Sequence, residues 1–235
     1  MVLASKEDTY SGDSIKVLEG LEPVRKRPAM YIGSTSIDGV YHCLAEIVDN
    51  SIDESLAGFA NTIQIILLDN NYLTVIDNGR GIPVDINTQY GVSALELVMT
   101  KLHAGGKFDG KTYRVSGGLH GVGASCVNAL ATHLMVEVKR GTKIYRQEFK
   151  IGVPQYPVKE VSESLLGITS ETGTAVSWIP DNTIFLQGIE LSLKSVMKRI
   201  KDRAYLIPSV LFTIEDKRED RKVAYFFDGG ILSLL

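Results

Sequence analysis

The amino-acid sequence predicts an α+β fold with a mixed sheet rather than an all-parallel one. A strong helical pattern occupies residues 36–58, where apolar side chains recur every three or four positions. Several shorter segments alternate between apolar and polar residues and are separated by brief polar turns, which is typical of hairpins. Because hairpins pair neighbouring strands antiparallel, we expect the sheet to be mixed.

The predicted elements follow one another without an internal repeat. Residues 1–20 are polar with few apolar anchors and are predicted to form an arm. Helices are predicted over residues 36–58, 94–104, 121–132 and 189–206. Strands are predicted over residues 62–68, 72–77, 134–139, 144–150, 174–179, 210–215 and 222–227. Gly58 is expected to end the first helix, Asp69–Asn71 to form a hairpin turn, and residues 105–120 to form a loop.

Composition excludes several classes of protein. With 44% hydrophobic and 23% charged residues over 235 positions, the chain can bury a substantial core. No apolar run approaches the roughly 18 residues of a membrane span, and the first residues lack a signal-peptide layout. We therefore expect a cytoplasmic protein with no membrane partner. The net charge of −3 argues against holding nucleic acid through bulk charge. Cys43 and Cys126 lie in apolar helical patterns and are predicted to be buried thiols rather than a disulfide or metal site.

The polar face of the first helix carries a candidate hydrolytic group. His42, Glu46 and Asn50 recur every four residues, so they lie on one face, opposite the apolar stripe. A glutamate can take a proton from an attacking water, and a histidine one turn earlier can orient it. The amide oxygen of Asn50 suits Mg²⁺, which prefers oxygen ligands. The alternative interpretation is an ordinary solvated face.

A second candidate group follows the second predicted strand. Asp77 ends that strand and precedes a turn containing Gly79 and Gly81. A carboxylate there can accept a hydrogen bond from an exocyclic amine such as that of adenine, and the glycines would let a ligand approach the backbone. Common turn chemistry explains the same residues without a ligand.

The third candidate segment is the glycine-rich stretch 117–123, which opens onto a predicted helix and favours anions. A P-loop is excluded because the stretch around Lys107 lacks both the earlier glycine and the hydroxyl after the lysine. The dinucleotide-binding glycine pattern is excluded because the spacing differs and no apolar strand precedes it. Lys107 and Tyr113 could add phosphate contacts, whereas the bland interpretation is a flexible hinge.

Taken in this order, the three segments resemble the motifs of the GHKL ATPase superfamily, namely E-x-x-x-N on a helix, D-x-G-x-G, a glycine-rich lid and a later Gly-Thr. Residues 24–33 (VRKRPAMYIG), 102–108 (LHAGGKF) and 117–123 resemble the ATPase modules of bacterial type II topoisomerases in particular, over most of residues 10–230. Ala29 stands where that family usually has glycine. The resemblance implies the GHKL (Bergerat) fold, a mostly antiparallel sheet covered on one face by helices. Residues 21–228 would form this domain, and residues 229–235 the start of a transducer domain.

The resemblance also implies roles for individual residues. Glu46 would be the general base, supported by His42, and Asn50 would bind Mg²⁺. Asp77 would hold the adenine amine, with Thr174 assisting through a water. Further ATP contacts are implied at Tyr10, Glu54, Arg80, Gly81, Ile82, Pro83, Lys107, Tyr113, Gly117, Gly118, Leu119, His120, Gly121, Val122, Gly123 and Arg140.

Partners are implied in the same way. Tyr10 would reach the nucleotide of a second copy, because the arm in this family exchanges across an ATP-dependent dimer. Glu54 would pair with Arg80, and Arg80 with Arg140 would flank the pocket mouth, where inhibitors of the aminocoumarin type bind. DNA and the second enzyme subunit would bind through regions outside this chain, and a lysine of the transducer domain would complete the site.

Three alternatives remain open at this point. The supercoiling and the decatenating topoisomerases share every motif above. A GHKL protein with another output, such as a histidine kinase, is disfavoured by the Arg-Lys-Arg-Pro entry at residues 25–28 and by the lid sequence. A stand-alone DNA-binding domain is disfavoured by the acidic charge balance.

Overall fold

A computed structural model describes residue 15 and residues 17–105, 121–185 and 189–234. The predicted contacts Tyr10, Lys107, Tyr113 and residues 117–120 lie outside the described residues. None of the helices in the described ranges is long and apolar enough to cross a membrane.

The described chain folds into an α+β domain. Its helices are α1 (Glu22–Lys26), α2 (Ala29–Ile32), α3 (Ile37–Leu56), α4 (Ala94–Thr100), α5 (Gly123–Ala129) and α6 (Leu193–Leu206). Its strands are β1 (Thr62–Leu67), β2 (Leu73–Asp77), β3 (Ala131–Arg140), β4 (Lys143–Lys150), β5 (Val153–Pro154), β6 (Lys159–Val161), β7 (Gly173–Pro180), β8 (Leu211–Asp216) and β9 (Arg221–Tyr225). Short 3₁₀ turns occupy Asp69–Asn71 and Gly230–Leu234.

The strands form one sheet in the order β5-β4-β3-β7-β2-β1-β8-β9, with β6 beside β4. Among the described strands only β1 and β8 pair parallel, and every other pairing is antiparallel. The predicted mixed, mostly antiparallel sheet is therefore confirmed. Strand β8 can lie parallel to β1 because α6, which connects β7 to β8, forms a crossover to a distant position in the sheet.

The helices cover one face of the sheet. Alternate residues of a strand face opposite sides, and Ile63 and Ile65 of β1 and Val75 of β2 belong to the main core with the helices. Their neighbours Ile66 and Ile76 face the other side, in a small cluster beneath the loop that precedes β7. This arrangement confirms the predicted single helical layer.

The longest helix positions the site described below. Ser36 caps α3, its hydroxyl accepting a hydrogen bond from the Asp38 amide at 3.3 Å, as is common at helix N-termini. Val40, Leu44 and Val48 are buried against the sheet, which leaves the face carrying Glu46 turned toward the strand ends.

Several predicted boundaries are wrong, and short elements were missed. Helix α4 ends at Thr100 because Lys101 adopts an extended conformation, and α6 begins only at Leu193, after its cap Ser192. Helix α5 covers seven residues, because Leu130 already leads into β3. Helices α1 and α2 and strands β5 and β6 span two to five residues each, too few to show a period.

Candidate active site

One large cavity, of about 770 Å³, opens between α3, the ends of β2 and β7, and the start of α5. It is large enough for a nucleotide-sized ligand. Predicted residues on its wall are His42, Glu46, Asn50, Glu54, Asp77, Arg80, Gly81, Ile82, Pro83, Gly121, Val122, Gly123, Arg140 and Thr174. Segments separated by more than a hundred positions in the chain therefore meet around one space.

Asp77 lies at the buried end of the cavity and is held by three donors. Its Oδ1 accepts from the backbone amides of Gly79 at 2.9 Å and Thr174 at 3.3 Å, and its Oδ2 accepts from the Ser51 hydroxyl at 2.8 Å. Burial raises the pKa of Asp77 to about 6, although these hydrogen bonds oppose the shift. The carboxylate is thus fixed in orientation and poorly solvated.

The two oxygens of Asp77 differ in what they can still accept. Within the described chain Oδ1 already has two donors, whereas Oδ2 has one. A carboxylate oxygen has two lone-pair sites, so Oδ2 can take one more donor from a ligand in the cavity. This end of the site therefore suits a ligand with an amino group that can donate a hydrogen bond.

Gly81 lets its own turn pack closely against the end of β3 and the start of β7 at this end of the cavity. Its φ is +78°, and a β-carbon there would lie 2.8 Å from Cγ1 of Val138 and 3.0 Å from the carbonyl oxygen of Lys139. The Arg140 guanidinium donates to the Gly81 carbonyl at 2.7 Å. Only glycine combines this conformation with this close approach.

The mouth of the cavity carries a buttressed ion pair. The Arg80 guanidinium donates to both carboxylate oxygens of Glu54, at 2.7 and 3.1 Å, and the Arg80 amide adds a third bond of 2.9 Å. The guanidinium also lies 3.9 Å from the centre of the Phe59 ring. The pair that the resemblance implied between Glu54 and Arg80 is present.

Glu46 and His42 occupy another part of the same wall. His42 Nε2 lies 3.2 Å from Glu46 Oε1, and both side chains are partly exposed to the cavity. A β-carbon on Gly123 would clash with Oε2 of Glu46. The first residue of α5 is therefore glycine where the helix presses against the glutamate.

Neighbouring residues of α3 tie this wall to the rest of the domain. Asp49 accepts from the Arg203 guanidinium of α6 at 2.7 Å.

Cys43 and Cys126 are free and buried, as predicted, and burial raises the pKa of both thiols. Such thiols pack as small apolar side chains and are unreactive.

Sequence reasoning missed several residues of the site. Ser51 follows Asn50 directly, but nothing in its local pattern shows that it reaches a strand 26 positions later. Asp49 of α3 was missed as well, and most of the other missed wall residues are apolar, including Met30, Tyr31, Ile47, Val75, Val98, Met99 and Val176. An apolar side chain is equally typical of a core residue, so the sequence does not distinguish a core residue from a residue of the cavity wall.

Comparison with known proteins identifies the family of this chain. Residues 35–179 match the family model described as histidine kinase-, DNA gyrase B-, and HSP90-like ATPase. The DNA gyrase B protein of Borreliella burgdorferi is 51% identical over 228 residues, and that of Staphylococcus aureus 49% over 229 residues. Each alignment covers 96% of this chain but 35% of the relative, so the chain spans about a third of those proteins.

A solved structure shows the same fold. The 43K ATPase domain of Thermus thermophilus gyrase B, crystallised in complex with an aminocoumarin, aligns with a TM-score of 0.79 and 37% identity. The alignment covers 91% of this chain and 53% of that one. Because the family model spans more than half of the sequence, this chain belongs to the histidine kinase-, DNA gyrase B- and HSP90-like ATPases.

Proposed function

We propose that this chain is the ATP-binding and ATP-hydrolysing module of a type II DNA topoisomerase of the gyrase kind. The observation that carries the proposal is the pairing of two different carboxylates on one cavity wall. Asp77 is buried and oriented, whereas Glu46 is partly exposed beside a histidine. The first suits recognition of a base and the second suits activation of water.

The adenine ring would lie at the Asp77 end. Its exocyclic amine would donate to Oδ2, and the half of the carboxylate bonded to Gly79 and Thr174 would stay fixed. A guanine ring carries a carbonyl oxygen at the same position, which would face the carboxylate without a proton between them. Thr174, whose amide already bonds Asp77, would assist through a water.

Glu46 would take the proton from the water that attacks the γ-phosphate. His42, at 3.2 Å from Oε1, orients the carboxylate, so that Oε2 is directed toward the start of α5. General-base assistance of this kind contributes roughly 10²–10⁴ in rate. Lys107, Tyr113 and residues 117–123 would contact the phosphates, and Tyr10 would reach the nucleotide of a second copy.

Mg²⁺ fits the donor set on this wall. Asn50 offers a neutral amide oxygen one helical turn after Glu46, and both line the cavity. Hard cations of this kind bind through a few protein oxygens together with substrate phosphates. When bound, the ion would neutralise phosphate charge, and Asn50 would supply one of its oxygen ligands.

The wider role follows from the similarity to gyrase B. ATP binding would close a dimeric gate through the N-terminal arm, and hydrolysis would reopen it to drive negative supercoiling in the cytoplasm. The gyrase A protein and DNA would bind through parts of the protein outside these residues. Aminocoumarin-type inhibitors would bind at the mouth formed by Arg80 and Arg140.

Calorimetric titration with the non-hydrolysable analogue AMPPNP, in the presence of Mg²⁺, tests the nucleotide assignment. We expect binding of AMPPNP and rejection of the guanine counterpart by roughly 10⁴-fold, because the buried carboxylate would be left without its donor. Equal affinity for both nucleotides, or no affinity for either, would contradict the proposal. ATP-dependent supercoiling by the full-length protein with its partner protein, compared with decatenation, tests the gyrase assignment.

A further inference from the structure

We infer that Arg25 is a positioning residue, which holds the phosphate-side wall of the cavity at a set distance from its adenine-side wall. The inference rests on the proposed function, since it assigns the two walls to the two parts of ATP. Arg25 lies on α1, outside the cavity, within the Arg-Lys-Arg-Pro entry that the site itself leaves unexplained.

The first observation concerns the end of α5. A helix leaves its last carbonyl groups without intrahelical partners, and a seven-residue helix has little stability of its own. The Arg25 guanidinium donates to the carbonyl of Ala129, the last residue of α5, at 2.7 Å. The backbone amide of Asp181 donates to the next carbonyl, that of Leu130, at 2.9 Å. These two bonds hold the C-terminal end of α5, where a cation also suits the helix dipole.

The second observation is that the same guanidinium reaches a different element. Arg25 Nη2 donates to Asp181 Oδ2 at 2.8 Å, and Asp181 is buried directly after β7. The other carboxylate oxygen accepts from the amide and hydroxyl of Thr183, at 2.9 and 2.7 Å. Burial opposes ionisation of Asp181, but the bonds from Thr183 and Arg25 outweigh it and hold its pKa below the usual value. The pair is thus charged and rigid.

The third observation concerns the N-terminal ends of α5 and β7, which both lie at the cavity. The N-terminal end of α5 forms part of the cavity wall and has no side-chain cap, with Gly123 against Glu46. The N-terminal end of β7 carries Thr174, whose amide bonds Asp77. Arg25 therefore joins, at their far ends, the helix that faces the phosphates and the strand that faces the adenine.

Removal of the Arg25 bonds should displace the phosphate-side wall of the cavity and leave the adenine-side wall in place. The sheet pairing of β2 and β7 holds Asp77 and Thr174 regardless of Arg25. The start of α5 has no such ladder, because the pairing of β3 with β7 and the Asn128 bond to the Met99 carbonyl at 2.8 Å lie at its C-terminal end. Loss of the Arg25 bonds from that end would let the short helix tilt about these contacts, so that its start shifts relative to Glu46. The contribution of the phosphates to binding would then fall while recognition of the base persists.

The test uses Arg25→Met in the whole chain, with AMPPNP and adenosine titrated separately and the melting temperature recorded. We expect about a tenfold loss of AMPPNP affinity and adenosine affinity within about twofold, a size typical of coupling through packed networks. Arg25→Lys, which keeps the charge but offers fewer donors, should recover part of the loss. Lys26→Met is the matched control, because Lys26 lies on the same helix with its side chain half exposed and forms an ion pair with Glu22 of α1.

A second variant covers the case in which Arg25→Met fails to fold. In Asp181→Asn the oxygen must stay toward Thr183, so the amide nitrogen faces Arg25 and breaks only that bond. The same selective loss of AMPPNP affinity is expected. An equal loss for both ligands, no loss for either, or failure of Asp181→Asn to fold would overturn the inference. If the unaltered chain bound neither ligand, the proposed function itself would be refuted instead.

Discussion

Replacement of Asp77 by asparagine should weaken nucleotide binding strongly without damaging the fold. Oδ1 accepts from two backbone amides, those of Gly79 and Thr174, so the amide oxygen of the asparagine must take that place. The amide nitrogen then replaces Oδ2, where the Ser51 hydroxyl can rotate and accept from it. The folded chain thus keeps its three hydrogen bonds, but it presents a donor to the adenine amine instead of an acceptor.

The size of the effect follows from this reversal. A hydrogen bond to a charged acceptor is lost, and the ligand's amine is left against another donor, which together cost about 3 kcal/mol or roughly a hundredfold in Kd. Calorimetric titration with AMPPNP near neutral pH measures it. The matched control is Asp69→Asn, the same chemical change in the exposed turn at the other end of the β1–β2 hairpin. An affinity of Asp77→Asn within about threefold of the unaltered chain would refute the argument.

The same variant makes a prediction about stability. Because the pKa of Asp77 is raised from 3.8 to about 6, the folded state binds a proton more tightly than the unfolded state. As the pH rises from about 4 to about 6, Asp77 should therefore lower the free energy of unfolding of the unaltered chain by at most about 3 kcal/mol. Asparagine does not titrate, so Asp77→Asn should lose this part of the pH dependence. Identical pH profiles for both proteins in chemical denaturation would show that the carboxylate is not strained by burial.

Other residues of the site give further expectations. Glu46→Ala should retain AMPPNP binding and lose hydrolysis by roughly 10²–10⁴ in a coupled ATPase assay; loss of binding with residual turnover unchanged would contradict its role as base. Gly123→Ala should push the Glu46 carboxylate aside and reduce turnover more than affinity, and unchanged turnover would show that Glu46 has room to adapt. Ser51→Ala should weaken AMPPNP binding by about 1 kcal/mol, since it removes one of three bonds that orient Asp77; a calorimetric change as large as that of Asp77→Asn would contradict this ranking. The isolated chain should be mostly monomeric and a feeble ATPase, which sedimentation and turnover at dilute concentration would check.

Much of the fold could be predicted because its signals are local. The stripe on α3 reports which face of that helix is buried, and the turn at Asp69–Asn71 reports a hairpin, where Asn70 and Asn71 indeed adopt positive φ. Boundaries were less predictable, since an apolar residue such as Ile189 or Leu191 continues a helical pattern and yet lies outside the helix, before the cap at Ser192. Competition between local pattern and tertiary packing decides such positions.

The residues of the candidate site likewise divide into those that local spacing predicts and those that it does not. His42, Glu46 and Asn50 could be placed together from spacing alone, because one helix holds them at fixed intervals. The partners of Asp77 could not, since Ser51 and Thr174 lie 26 and 97 positions away. The Arg25–Asp181 pair, 156 positions apart, gave no sequence signal beyond an arginine in a conspicuous motif.

The sequence by itself thus determined the class of fold, the order of the motifs and the two carboxylates with their separate chemistries. These follow from periodicity and residue type, which depend on neighbours within a few positions. The tertiary structure alone decided that β7 lies beside β2 and that α5 packs against α3. Those pairings set which donors reach Asp77, why its pKa rises and how closely Gly123 approaches Glu46, because burial and hydrogen bonding depend on groups that distant segments bring together.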